Sequence, residues 1–247
     1  MREAAAGASF LQAMNELLLV MTAMVSALFV VGGWRLGKER LYSVMIVFLI
    51  LITAVGGKIV TFFGHATNTG NIFYASVFLA TYFIIERFGK REGVYSIWVG
   101  VAGVLFFSVF IRITVALIGV PDSTQISDAL SVAFAPVSRL ALASLCAYVF
   151  SQTLNVYLYL YLKERTQGKY LWVRANASNA VAQVLDSVIF FTIAFWGTVS
   201  PANIWDILLT GFVIKVGFMF LASPLLYLNT LEEYEDGSGS VEIVLRP

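Results

Sequence analysis

Polar and apolar positions in this chain separate into long hydrophobic runs joined by short charged connections, without the fine alternation of a water-soluble fold. A helix needs about 20 mostly apolar residues to cross the hydrocarbon core of a bilayer. Seven stretches predict such helices: Phe10–Trp34, Leu41–Phe63, Asn71–Ile85, Val94–Ile118, Ala129–Leu162, Ala177–Trp196 and Ile204–Leu228. The third is short and flanked by polar residues, which predicts a tilted, broken or partly re-entrant segment. The fifth is long enough to continue past the bilayer. The predicted fold is therefore all-α, a polytopic transmembrane helical bundle of about seven spans in a cell membrane. Residues 1–36 hold the first helix and the start of the first loop, 37–230 a six-helix body, and 231–247 an acidic, disordered tail.

Composition agrees. Of 247 residues, 59% are hydrophobic and 13% charged, against about 45–50% and about 25% for a soluble domain. The first apolar run exceeds the ~7–15 residues of a secretory signal core and no small-residue cleavage site precedes its basic flank, so it is read as a span.

Charge sets the orientation. Loops one, three and five carry Arg35, Lys38 and Arg40; Arg87, Lys90 and Arg91; and Lys163, Arg165, Lys169 and Arg174. Loops two, four and six, around 65–70, 119–128 and 197–203, carry no Lys or Arg. Basic residues collect on the cytoplasmic side, which predicts the N-terminus outside and the C-terminus in the cytoplasm.

Ionisable residues at membrane depth are costly and so mark candidate sites. Glu16, Lys58, Glu86, Arg112, Arg139, Asp186 and Lys215 are the candidates, with Lys58, Arg112 and Arg139 toward the outer side and Asp186 and Lys215 near mid-span. Glu16, Glu86 and Arg112 lie near enough to span ends to reach the headgroups instead. On the sixth helix Asn179, Gln183 and Asp186 are spaced i, i+4, i+7 and share one face. The fifth carries a related stripe, Tyr148, Gln152, Asn155 and Tyr159. Such carboxamides also serve as interhelical hydrogen bonds. There is no phosphate-binding loop, dinucleotide fingerprint or His/Cys cluster, and His65 alone cannot hold a metal, so no cofactor, metal or enzymatic activity is expected.

Three stretches resemble the queuosine-precursor transporter family, also called the vitamin-uptake-transporter family. They are Lys58–Gly64 with Asn71–Gly89, Ser138–Asn155, and Ser178–Gly197. The resemblance implies a helical carrier importing a 7-deazaguanine base or a related nucleobase or vitamin. It implies a substrate site drawn from Lys58, Glu86, Arg139, Asn179, Gln183 and Asp186, to which Tyr82, Gln152, Asn155 and Lys215 are added. The chain departs from the family pattern where Tyr82 and Asn155 stand in place of Asp, and where glycine precedes Lys58. The expected partners are a small-molecule substrate and the lipid bilayer, with no nucleic acid; a homo-oligomer or an ATPase coupling module is left open. The alternative is the substrate-binding subunit of an energy-coupling-factor importer. A retinal protein is disfavoured because Gly211, one turn before Lys215, stands where an Asp would be expected.

Overall fold

The computed structural model describes residues 2–134, 137–195, 201–235 and 241–245. They form eight α-helices: α1 (Arg2–Leu36), α2 (Lys38–Val55), α3 (Gly70–Phe88), α4 (Lys90–Ala116), α5 (Thr124–Phe134), α6 (Val137–Arg165), α7 (Leu171–Phe195) and α8 (Pro201–Ala222). A hairpin of β1 (Ile59–Phe62) and β2 (His65–Asn68) joins α2 to α3, and β3 (Leu231–Glu235) pairs with β4 (Val241–Leu245) after α8. Every helix except α5 has 18 residues or more. Among the described residues four segments are long and apolar enough to cross a membrane by length and composition: Gln12–Leu36, Lys90–Ala116, Leu171–Ala194 and Leu208–Asn229.

Four expectations change. The second apolar run does not continue to Phe63. The helix stops at Val55 because two glycines follow, and the freed Val55 carbonyl accepts from the Lys58 amide at 3.0 Å and from Thr69 Oγ1 at 2.6 Å. Ile59-Val60-Thr61 then favours extended chain. Phe63 and Gly64 both take positive φ (47° and 80°), the backbone of a two-residue hairpin turn whose twist matches the strands. Lys58 is therefore an exposed residue after the helix, not a residue within it.

The third run is one unbroken helix. At about 1.5 Å per residue its 19 residues span about 28 Å, close to the thickness of a hydrocarbon core. The fifth run is shared between α5, which is described to Phe134, and α6, described from Val137; Ala135 and Pro136 lie outside the described residues. In the acidic tail, expected as disordered, Leu231–Glu235 pairs antiparallel with Val241–Leu245.

The core lies around α3, which is buried from Tyr74 through Ile85 and packs against α1, α2, α4, α6 and α8. Close approach is possible where side chains are small. A Cβ on Gly100 of α4 would meet Leu49 of α2 at 2.6 Å and the Tyr148 hydroxyl of α6 at 2.7 Å. The outward surface is apolar instead: Leu28 and Phe29 of α1, Phe106 of α4 and Leu221 of α8 are all more than half exposed. A surface so apolar suits hydrocarbon, not water.

Candidate functional site

A cavity of about 720 Å³ enters the bundle at the end where α2 stops and α3 begins. Its wall runs from Ile52–Ile59 across Asn71 of α3 and Val132 of α5 to Phe190 and Phe191 of α7. Three charged side chains line it among the described residues: Lys58 at the exposed hairpin start, and Asp186 and Lys215 deeper in.

Asp186 is only 4% exposed, and each of its oxygens is held. Oδ2 accepts from Lys215 Nζ at 2.9 Å, and Oδ1 accepts from the Tyr74 hydroxyl at 2.5 Å and from Ser151 Oγ at 3.3 Å. The Lys215 ammonium also lies 4.5 Å from the Tyr74 ring centroid, within cation–π range. Four helices thus converge on one carboxylate. Charge-assisted hydrogen bonds of this kind are roughly twice as strong as neutral ones.

Below this group the α6 and α7 stripes face each other. Gln152, Asn155, Asn179 and Gln183 are 0% exposed, yet Gln152 Nε2 and Oε1, Asn155 Nδ2, Asn179 Nδ2 and Gln183 Oε1 have no hydrogen-bond partner among the described residues. A buried polar group without a partner costs about 1–3 kcal/mol. Tyr82 closes this layer. Its hydroxyl reaches Asn155 Oδ1 at 2.6 Å, the Ala175 carbonyl at 2.9 Å and Ser178 Oγ at 3.0 Å, and its ring lies against Tyr159. Tyr82 therefore ties three helices together and does not line the cavity.

Glu86 is at the far end of α3. Tyr74 and Glu86 are twelve residues apart, about 18 Å along the helix. Glu86 accepts from Tyr159 at 2.7 Å and from Lys163 at 3.1 Å, and lies 3.0 Å from Arg174 Nη2. It is paired on three sides and lies outside the cavity wall. Glu16 likewise accepts the Phe63 amide at 3.2 Å, fastening α1 to the hairpin. Arg112 is exposed beside Phe134. Arg139 falls in the first turn of α6, and its side chain lies outside the described residues.

Of the expected residues, then, Lys58, Asp186 and Lys215 share the cavity. The four carboxamides lie under it, and Tyr82 and Glu86 do not reach it. Tyr74, Ser151 and Arg174 were missed. Ser151 sits next to Gln152 in the polar stripe, and Tyr74 is the polar group one helical turn after Asn71, so both carried a readable signal; Arg174 was counted only as a loop charge.

A lipid-facing helical bundle with a cavity entering from one end and a charged group at its base is a multi-pass membrane transport protein. Residues 68–229 match the family model described as "Putative vitamin uptake transporter". The chain belongs to that family. It is 35% identical over 177 residues to a "Probable queuosine precursor transporter" of Bacillus subtilis (strain 168), covering 69% of this chain and 74% of that protein. It is 28% identical over 162 residues to a "Probable queuosine precursor transporter" of Haemophilus influenzae (strain ATCC 51907 / DSM 11121 / KW20 / Rd), covering 65% of each. It is also 28% identical over 161 residues to the "Queuosine precursor transporter" of Escherichia coli (strain K12), covering 64% of this chain and 70% of that one. No solved structure matches. These names give no support to the reading as a substrate-binding subunit of an ATP-driven importer.

Proposed function

We propose that the chain imports a small polar heterocycle across the cell membrane, a 7-deazaguanine precursor of queuosine or a close relative of that base, and that Asp186 is its principal contact. The observation that carries this reading is the Asp186–Lys215–Tyr74 group at the base of a 720 Å³ cavity, a size within the roughly 300–1,000 Å³ usual for small-molecule sites. A carboxylate binds the ring's N–H donors. The unpartnered amides of Gln152, Asn155, Asn179 and Gln183 are suited to the donor–acceptor edge of a purine-like base as it moves inward. Lys58 stands at the mouth and offers a cation to a carbonyl, and Arg139 is assigned the same role.

The seven long helices are read as seven spans. Even with Lys58 moved into a loop, connections at the cavity end are poor in Lys and Arg, while Arg87, Lys90, Arg91, Lys163, Arg165 and Lys169 collect at the other. The positive-inside rule then puts the mouth outside, with the N-terminus out and the C-terminus in the cytoplasm. Names borne by the relatives favour the same substrate class.

Asp186→Asn tests the assignment. In cells lacking their own uptake route, wild-type chain should load a labelled 7-deazaguanine base, and the variant should insert normally and load none. Uptake by Asp186→Asn at the wild-type rate would sink it.

A further inference from the structure

Asp186 is buried and already neutralised from within by Lys215. The Lys215 side chain is 12% exposed, and its ammonium sits 2.9 Å from one Asp186 oxygen and 4.5 Å from the Tyr74 ring centroid, whose face attracts a cation. The three charged groups lining the cavity among the described residues, Lys58, Asp186 and Lys215, sum to one positive charge. A cation entering here finds no free carboxylate and two ammonium groups. It would have to expel Lys215 from a site where like charges are poorly screened. A neutral ring asks less: it donates N–H to an Asp186 oxygen while Lys215 stays close.

We propose that Lys215 is the specificity-determining residue of this site, acting as a tethered counter-ion that admits neutral heterocycles and turns away cationic ones. The selectivity for heterocycles rests on the reading of Asp186 as the solute contact; the counter-ion role stands on the ion pair alone.

Two measurements separate these. In the first, purified wild type, Lys215→Ala and Asp186→Asn/Lys215→Ala are melted with and without propylammonium chloride. The free amine should raise the melting temperature of Lys215→Ala and leave the other two unmoved, because only that variant holds an unpaired buried carboxylate. No rise in Lys215→Ala, or an equal rise in all three, overturns the counter-ion role. If Lys215→Ala does not fold, Lys215→Met takes its place and should likewise melt higher in the amine.

In the second, cells take up a neutral 7-deazaguanine and the same ring bearing an aminomethyl cation. Wild type and Lys215→Arg should favour the neutral ring. Lys215→Met should shift the cation-to-neutral ratio by about tenfold or more, the worth of one charge-assisted hydrogen bond. An unchanged ratio, or a wild type that prefers the cation, overturns the selectivity. If wild type carries neither ring while the amine still stabilises Lys215→Ala, the proposed function falls and the counter-ion role stands.

Discussion

Arg174 and Glu86 form an ion pair at 3.0 Å at the opposite end of the bundle from the cavity, with the guanidinium 2% exposed and also donating to the Lys169 carbonyl at 3.1 Å. The pair joins α3 to α7 beneath the Tyr82–Tyr159 layer. Removing one partner leaves the other charged and buried, at a cost of about 3–5 kcal/mol. Glu86→Gln should therefore lower the melting temperature sharply, and Glu86→Gln/Arg174→Gln should recover part of the loss. Melting curves in detergent for both singles and the double check this; a single-variant loss under about 1 kcal/mol would place the pair among solvent-screened surface pairs. Because Glu86 is outside the cavity wall, KM for the solute should not move.

Tyr82→Phe discriminates a tie between helices from a ring that holds the solute. Loss of the hydroxyl leaves Asn155 Oδ1 without its 2.6 Å partner in a fully buried layer, for a loss of about 1–3 kcal/mol. Uptake per folded molecule should keep the wild-type KM, measured as initial rate against solute concentration. A several-fold rise in KM would return Tyr82 to the binding surface.

Gln152 should show stability traded against function. Both of its amide atoms lack a partner among the described residues. Replacing an unsatisfied buried polar side chain by an apolar one of similar shape removes a desolvation penalty of about 1–3 kcal/mol. Gln152→Met is expected to raise the melting temperature and to reduce uptake. A variant that loses stability would mean that the amide already has its partners in the resting protein.

Much of this architecture was legible in the chain because the bilayer limits the options. Long apolar runs mark helices wherever they fall, and the base-poor and base-rich connections sort the two ends. Asp186 and Lys215 were legible because a charge at mid-depth has few other reasons to exist. What hydropathy hid were interruptions. Gly56-Gly57 end α2 inside a run that stays apolar to Phe63, and another run is shared between α5 and α6. Partner choice was hidden too. Tyr82 carries the face of an aromatic platform in the sequence, but its three hydrogen bonds depend on how α3 lies across α6 and α7, which no local pattern encodes. Glu86 looked like a site acid for the same reason: its partners Lys163 and Arg174 are distant in the chain and arrive only through the turn between α6 and α7.

The family match begins at residue 68 and leaves α1 outside it, yet α1 is fastened at two points. Near its middle Glu16 accepts the Phe63 amide. In its last turn, Trp34 Nε1 donates to Asn229 Oδ1 at 2.7 Å and the Trp34 carbonyl accepts from Arg87 at 2.8 Å. Glu16 and Trp34 are separated by about 27 Å of continuous helix. The helix is thus a tie-rod between the hairpin at the mouth and the last turns of the chain. A helix hardly stretches, so a rocking motion that closes the mouth must pivot around the rod or release one of its two fastenings, Glu16 or Trp34.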